Sequence, residues 1–139
     1  SGEAILELDA QLSEQDLSMD RYEEVALLEP FGMGNPKPKF LIEDAKLISF
    51  RLVGQTQNHL QMQVVVGETI LECIGFSLGY FSAKLEAGGI ISLAGELIAD
   101  SWNGTKKLKM RVIDIQIKEP ELEAGEEVAL ENLLVQTNE

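Results

Sequence analysis

The sequence contains few of the residues that catalytic and metal sites need. Its 139 residues include one cysteine, Cys73, and one histidine, His59. A single cysteine excludes an intramolecular disulfide bond and is typical of a reducing compartment, so we expect a cytoplasmic protein. A single histidine excludes paired-histidine metal motifs, and the sequence has no phosphate-binding loop. We therefore expect no catalytic centre, no metal site and no bound cofactor in this chain.

Long hydrophobic runs are also missing, and so is a basic leader followed by an apolar segment. A membrane-spanning helix needs about 18 or more apolar residues, so we expect neither a membrane span nor a membrane partner. Hydrophobic residues still make up 45% of the chain, which suffices for a buried core. The sequence begins with Ser1-Gly2 rather than methionine, and we expect a soluble domain excised from a longer protein.

Basic residues are scarce, because 24 acidic residues stand against 11 basic ones. The acidic excess is concentrated at the two ends. Residues 1–35 carry a net charge of −8 and residues 119–139 carry −7, whereas residues 45–118 carry +2. Binding of a polyanion depends on a local basic face more than on net charge. The net charge therefore does not exclude nucleic acid as a partner, and the acidic ends are either solubilising flanks or features that weaken such binding.

The N-terminal part of the chain predicts a strand, a helix and a linker. Residues 4–8, Ala-Ile-Leu-Glu-Leu, are typical of a short strand. Residues 13–16 have the spacing of a capping box, and we expect a helix at about residues 19–28. Pro30 disfavours helical geometry in the residue before it and ends that helix. Residues 30–39 are rich in proline and glycine and predict a rigid, bent linker.

From Phe40 onward the pattern changes to the alternation that is typical of β-strands. Residues 77–86 predict a short helix, and Asn103-Gly104 predicts a β-hairpin turn. The hydrophobic phase shifts by one residue after Val112, as it does at a β-bulge. We predict five strands, at residues 46–53, 60–66, 70–76, 89–99 and 107–117.

This order of three strands, a helix and two strands predicts a mainly β fold. It fits a five-stranded Greek-key barrel of the oligonucleotide/oligosaccharide-binding type, the OB-fold, and a β-sandwich remains the alternative. We divide the chain into a strand-helix segment (1–29), a linker (30–39), the barrel (40–118) and an acidic tail with partly helical spacing (119–139).

One cluster of residues indicates nucleic-acid binding. Trp102 and Asn103 stand at the predicted hairpin, directly before a run of basic residues. Single-strand binders combine a basic groove with aromatic side chains on which bases stack. The alternative is a solvated strand face whose charges protect a sheet edge, with Trp102 covering the core. The basic residues of the run are Lys106, Lys107, Lys109 and Arg111.

Two further candidates, Arg51 and His59, flank the first predicted hairpin, whose loop at residues 54–58 is polar. In a nucleic-acid-binding protein, Arg51 would contact a phosphate and His59 a base or a sugar. Alternatively, both are exposed polar residues at the ends of a loop.

Three segments of the sequence resemble the RecJ family of single-strand-specific DNA exonucleases. The first is residues 28–40, Leu-Glu-Pro-Phe-Gly-Met-Gly-Asn-Pro-Lys-Pro-Lys-Phe. The second joins Val53-Gly54 to His59-Leu60, and the third runs from Trp102-Asn103-Gly104 to Ile113-Asp114-Ile115. They occur in the family's order and approximate spacing, so the resemblance covers about residues 5–117.

The resemblance implies that the chain is a C-terminal fragment of such an exonuclease. Residues 1–29 are similar to the end of a DHH-associated domain, and residues 40–118 to the OB-fold that holds the incoming strand. The family's catalytic Asp-His-His motif is absent from this sequence, so we expect no DNA cleavage by the fragment. The resemblance also implies that the parent enzyme acts in DNA repair and recombination, and degrades single strands from the 5′ end. Its divalent metal, manganese or magnesium, is expected in a catalytic domain that lies in cis.

Two hypotheses for the function follow. In the first, the chain is a non-catalytic single-stranded-DNA-binding module. Its contacts would be Arg51, His59, Trp102, Asn103, Lys106, Lys107, Lys109 and Arg111. In the second, the same basic strand binds an acidic peptide, such as the tail of a single-strand-binding protein. An unrelated metabolic enzyme is the least favoured class, because the sequence shows no acid–base or metal cluster.

Overall fold

The computed structural model describes residues 7–26, 37–119 and 132–133. Within these residues six strands form one sheet, one α-helix precedes the barrel, and two short 3-10 helices occupy residues 14–16 and 79–83. The helix α1 is Met19–Ala26. The strands are β1 (Ala10–Gln11), β2 (Phe40–Val53), β3 (His59–Val66), β4 (Thr69–Gly75), β5 (Ile90–Trp102) and β6 (Thr105–Ile117).

Strands β2 to β6 close into a five-stranded barrel. The strand order is β2-β3-β4-β6-β5, and β5 pairs with β2 to complete the ring. Neighbouring strands of the barrel are antiparallel except β4 and β6, which are parallel and are connected through the 3-10 helix at residues 79–83 and β5. This is the topology of an OB-fold, and it confirms the fold class predicted from the strand order.

The core of the barrel follows from the alternation in the sequence. In β3 and β4 every second side chain is buried, because successive residues of a strand point to opposite faces. Cys73 belongs to this core, and its burial raises the pKa of the thiol to about 12. The largest fully buried side chains are Ile42, Leu47, Leu60, Met62, Val64, Leu71, Ile91, Leu93 and Met110.

A β-bulge interrupts β6 where the sequence pattern shifts phase. Ala94 pairs with Asp114 and Gly95 pairs with Val112, so Ile113 is the extra residue. A Cβ atom at position 95 would collide with the carbonyl oxygen of Arg111, which explains the glycine inside β5. The predicted bulge is therefore confirmed. From Leu108 to Val112 the even-numbered residues of β6 are buried, and after the bulge the odd-numbered Ile115 is buried instead. The bulge allows this switch while β6 stays paired with β5.

The N-terminal segment packs against the barrel instead of standing apart from it. Residues 7–9 are not in a strand, and the strand predicted at residues 4–8 is wrong for its described part, since β1 forms at Ala10–Gln11 and pairs in parallel with the start of β2. Leu17 lies in the core cluster. The Glu14 carboxylate accepts hydrogen bonds from the Glu68 amide and the Thr69 hydroxyl at the β3–β4 turn.

The capping residues of this segment differ from the prediction. The Asp16 carboxylate accepts hydrogen bonds from the Ser13 amide and hydroxyl, but this box closes the 3-10 helix at residues 14–16. Helix α1 begins as predicted at Met19, and its cap is Ser18, whose hydroxyl accepts a hydrogen bond from the Arg21 amide. The predicted helix end, most of the linker and almost all of the acidic tail lie outside the described residues. In the described part of the chain, no helix is both long and apolar enough to cross a membrane.

Candidate nucleic-acid interface

The basic residues of β6 lie on the outer face of the barrel. Leu108, Met110 and Val112 point inward, and the residues between them therefore point outward. Pairing sets Lys107 opposite Asp100 and Arg111 opposite Glu96 on β5. The sequence pattern predicted the shared face of the bases, but not the acidic side chains beside them. The bases that share this face are Lys107, Lys109 and Arg111.

Both lysines of this face are paired with carboxylates. Lys107 Nζ lies 2.9 Å from Glu72 Oε1 on the adjacent β4, and Lys109 Nζ lies 3.5 Å from Glu72 Oε2. Lys109 Nζ also lies 2.8 Å from Asp100 Oδ2. The hydrogen bond from Lys107 lowers the pKa of Glu72, and the hydrogen bond from Lys109 lowers the pKa of Asp100. The pKa of Lys109 is raised in turn, chiefly by Asp100, so Glu72, Asp100 and Lys109 remain charged at neutral pH.

Arg111 shares a buried carboxylate with the segment that enters the barrel. Glu96 is 7% exposed and accepts hydrogen bonds from Arg111 Nη1 at 3.2 Å and from Lys39 Nζ at 2.8 Å. The Lys39 hydrogen bond is the main reason that the pKa of Glu96 is lowered despite its burial. A buried charge is tolerated when it is paired and hydrogen-bonded, and Glu96 meets both conditions.

An aromatic side chain stands next to Arg111. The guanidinium carbon of Arg111 lies 5.7 Å from the centre of the Phe76 ring, within the range of a cation–π contact. The His59 ring meets Phe76 edge-on, with 5.4 Å between ring centroids. Phe76 is 52% exposed, so one face of this small group is open to a ligand.

His59 holds the loop before β3 against the end of β4. Its Nδ1 accepts a hydrogen bond from the Ser77 amide at 2.9 Å, which in the neutral ring places the proton on Nε2. A side chain at Gly54 would collide with the same imidazole, so the residue packs against both loops. His59 therefore positions Phe76, and it is only partly open to solvent.

Residues 75–79 read Gly-Phe-Ser-Leu-Gly, a Gly-x-Ser-x-Gly sequence that reasoning from the sequence missed. Ser77 has a positive φ of 60°, as the nucleophile of a strained strand-to-helix turn does. Activation of a serine requires a base that takes the proton of its hydroxyl. Here His59 accepts from the backbone amide of Ser77, which does not activate the hydroxyl.

The β5–β6 hairpin carries Trp102 into solvent. Trp102 is 77% exposed, so it does not cover the core. Asn103 (φ 50°) and Gly104 (φ 78°) form the left-handed pair that a two-residue hairpin turn requires, as the sequence predicted. The alternation along β5 sets Trp102 on the same side as Asp100 and Glu96. Because these two acids lie opposite Lys107 and Arg111, Trp102 shares a side with the basic residues of β6. Lys106 points to the other side, where its Nζ lies 3.9 Å from Glu23 of α1.

Arg51 lies on β2, which is not a neighbour of β6 and its basic residues in the sheet. Its Nε donates a hydrogen bond of 2.5 Å to Gln61 Oε1, and it forms no ion pair with any carboxylate in the described ranges. It borders an open cleft of about 330 Å³ that Ser49, Gln61, Gln63 and Glu72 also line. Sequence reasoning found Arg51 but not the cleft. The alternation of Gln61 and Gln63 on one face of β3 was the available signal.

In the residues that the structure describes, no group of three or more His, Cys, Asp or Glu side chains could hold a metal ion. The manganese or magnesium ion that the resemblance implies therefore finds no fitting donor set in this part of the chain. Of the sequence candidates, the structure brings together His59 and Arg111 around Phe76, and Lys107 and Lys109 around Glu72. Arg51 lines the same cleft as Glu72, and Lys106 lies on the other side of β6.

Comparison with known proteins gives a consistent result. The family model described as "RecJ OB domain" matches residues 8–114. The single-stranded-DNA-specific exonuclease RecJ of Bacillus subtilis (strain 168) is 32% identical over 118 residues, which is 85% of this chain and 15% of that protein. A crystal structure of RecJ from Thermus thermophilus in complex with Mn²⁺ is 29% identical and superposes with a TM-score of 0.58.

That superposition covers 83% of this chain and 16% of the T. thermophilus protein, so the chain spans less than one fifth of the RecJ proteins it matches. The second single-stranded DNA-binding protein of Mycobacterium smegmatis, SSBb, is 13% identical with a TM-score of 0.50. The match covers 61% of this chain and 94% of SSBb. At that identity the likeness shows a shared fold alone.

Proposed function

The chain belongs to the RecJ OB-domain family, and on that premise we propose that it is a single-stranded-DNA-binding module of a RecJ-type exonuclease. Both curated relatives are named single-stranded-DNA-specific exonucleases. The module would hold the strand, and a catalytic domain in cis would cleave it in DNA repair and recombination. We propose that the module itself does not cleave DNA and that the divalent metal belongs to the catalytic domain.

The observation that carries this proposal is the outer face of β4 and β6. It combines the cations Lys107, Lys109 and Arg111 with the half-exposed ring of Phe76, and Trp102 lies on the same side of the hairpin. OB-folds bind oligonucleotides on the face of their second and third barrel strands, here β3 and β4, and with the loops that follow the first and fourth strands, and β6 borders that face because it pairs with β4. Stacking on an exposed ring and contacts to phosphates are the two interactions that single-strand binders use.

The paired carboxylates determine how strong this binding is. A phosphate that approaches Lys107 or Lys109 competes with Glu72 and Asp100 for the same ammonium groups. Fewer solution counterions are then released than the number of basic residues suggests, so the affinity for DNA is modest and its salt dependence is shallow. Weak binding suits a module that must let the strand advance toward a catalytic domain.

The test is fluorescence anisotropy with a labelled oligonucleotide of mixed sequence, at several salt concentrations. We expect the double variant Lys107→Gln/Lys109→Gln to lose most of the binding. The salt slope should also fall, by less than the roughly 0.7 expected for each unpaired lysine that contacts a phosphate, because both lysines are already paired with carboxylates. Glutamine is preferred to glutamate here, because a glutamate would repel Glu72 and disturb the sheet. Unchanged binding by the double variant would show that β6 does not contact DNA.

The matched control is Lys118→Gln. Lys118 is also exposed and paired with a carboxylate, since its Nζ lies 3.5 Å from Asp44 Oδ1. It lies past the bulge, at the other end of β6, so its loss should leave the affinity unchanged. A nuclease assay with manganese completes the test, and robust cleavage by the purified chain would contradict a non-catalytic role.

The same lysines favour a second candidate, binding of an acidic peptide. Glu72 and Asp100 show that this face accommodates carboxylates at hydrogen-bonding distance. We propose the tail of a single-strand-binding protein as such a partner. A competition experiment separates the two functions: a peptide that displaces the oligonucleotide shares the face, and one that binds without displacing it has a site of its own.

A further inference from the structure

The open cleft between β2, β3 and β4 contains hydrogen-bonding groups of two kinds. Gln63 of β3 pairs with Ser49 of β2 on one side and with Glu72 of β4 on the other. Arg51 and Gln61 form the next pair along the same two strands. These five residues, together with Phe50 and Met62, line one space of about 330 Å³. This volume is at the lower end of ligand sites, so the cleft fits a single base better than an extended ligand.

The two ends of the cleft differ in charge. At one end, the Arg51 guanidinium has an ion pair with none of the described carboxylates, and its Nη groups remain available as donors after Nε has bonded to Gln61. At the other end, Glu72 is a carboxylate whose pKa is lowered by Lys107, so it stays an acceptor at neutral pH. A phosphate at this end would be repelled by Glu72. The cleft therefore suits a neutral ligand with an acceptor at one end and a donor at the other.

We propose that this cleft is a nucleobase site that prefers cytosine to thymine or uracil, with Glu72 as the residue that determines the preference. Cytosine presents an exocyclic amino group, which donates, where thymine and uracil present the O4 carbonyl oxygen, which accepts. Glu72 accepts from the amino group, whereas it repels an O4 atom. The Arg51 and Gln61 donors face the O2 end of the base, which all three pyrimidines share.

Glu72 has the capacity for this contact. Its two oxygens offer about four acceptor positions, and Lys107 and Lys109 occupy two of them. Gln63, which sits between Ser49 and Glu72, supplies one amide donor and one amide acceptor for the base edge. Because the lysines bind the same carboxylate, the base site lies next to cations that would hold the flanking phosphates.

This inference rests on the proposed binding of single-stranded DNA, and the experiment separates the two. We would measure the anisotropy of labelled oligonucleotides of eight deoxycytidines, eight deoxyuridines and eight thymidines with the whole chain at neutral pH. Cytosine and uracil have the same size and differ only on the edge that carries position 4 and N3, which accepts in cytosine and donates in uracil, so their ratio reports on that edge and the Glu72 variant below assigns it to the carboxylate. We expect the cytidine oligomer to bind about fivefold more tightly than the uridine oligomer, at the low end for base contacts because the cleft is open.

Two variants make the test specific. Glu72→Gln replaces an acceptor with an amide that both donates and accepts, so the cytidine-to-uridine ratio should fall to about one. The same change removes the carboxylate partner of Lys107 and leaves Lys109 paired with Asp100 alone, so both oligomers should bind more tightly, which also shows that the variant is folded. Lys107→Gln/Lys109→Gln should weaken both oligomers and leave the ratio unchanged.

Three results would overturn the base site. Equal affinity of the wild-type chain for the cytidine and uridine oligomers would overturn it while leaving the proposed function intact. A ratio that survives in Glu72→Gln would exclude Glu72 as its cause. Absence of binding to every oligomer would overturn both the site and the proposed function.

Discussion

The carboxylate of Glu96 on β5 lies 3.2 Å from the guanidinium of Arg111 on β6, and the two residues are paired opposite each other in the sheet. Lys39, which precedes the barrel, binds the second oxygen of the same carboxylate at 2.8 Å. One buried acid thus links the first residues before the barrel to the cation beside Phe76.

The first prediction concerns the pH dependence of stability. The hydrogen bond from Lys39 lowers the pKa of Glu96, so the charged carboxylate stabilises the folded state at any pH above its unfolded pKa of about 4.3. The contribution is lost as the pH falls through the lower folded pKa. At pH 7, Glu96→Gln should therefore reduce the free energy of unfolding by about 1–2 kcal/mol. The difference should shrink below about pH 4, because the protonated glutamic acid resembles glutamine.

Urea unfolding followed by circular dichroism measures this difference at each pH. Tryptophan fluorescence is a poor probe, because Trp102 is already exposed in the folded protein. A difference that stays constant from pH 7 to pH 3 would show that the charge of Glu96 contributes nothing to stability.

The second prediction concerns the bulge between β5 and β6. A methyl group at Gly95 would meet the carbonyl oxygen of Arg111, which cannot move without breaking the pairing of the two strands. Gly95→Ala should lower the free energy of unfolding by about 1–3 kcal/mol. Ser101→Ala, an exposed position on the same hairpin, serves as the control and should change it by less than about 0.5 kcal/mol. Equal stability of the two variants would mean that the strands can separate at the bulge without cost.

The third prediction concerns Trp102. Its exposure of 77% means that Trp102→Ala should leave the thermal unfolding midpoint nearly unchanged. If bases stack on it, the same change should weaken oligonucleotide binding by about 1–3 kcal/mol, and Trp102→Phe should restore part of the loss.

Tyr80→Ala is the matched control for this experiment. Tyr80 is 70% exposed and stacks on Phe81 in the 3-10 helix at residues 79–83, which contacts β2 and β3. Its removal should not affect binding. Equal losses from the two variants would indicate a general effect of exposed aromatic surface, and no loss from Trp102→Ala would remove the residue from the interface.

The barrel strands could be predicted because their alternation is regular. In β3 and β4 every buried residue is apolar, and the turn between β5 and β6 contains Asn103-Gly104. The start of β2 was predicted wrongly, since the strand begins at Phe40, six residues before the expected position. Glu43 and Asp44 are exposed in succession at a bulge where Asp44 has a φ of 57°, and this interrupts the pattern that marks a strand.

The candidate site could be predicted only in part, for a different reason. The basic residues of β6 are close in the sequence, so their shared face follows from the alternation of side chains along a strand. Asp100 lies opposite Lys107 in the same hairpin, but Glu72 lies on β4, which is a neighbour of β6 only in the closed barrel. The cleft beside Arg51 likewise combines residues from three strands. A pattern along the chain contains no information on such lateral contacts until the strand order is known.

The parallel pairing of Ala10–Gln11 with Phe40–Leu41 changes where movement relative to another domain can take place. Residues 10 and 11 are held against residues 40 and 41 by the sheet, and Leu17 is buried in the core, so the start of the described chain belongs to the same packed body as the barrel. In a longer protein, a domain that precedes residue 7 would therefore rotate relative to the barrel at a point ahead of β1.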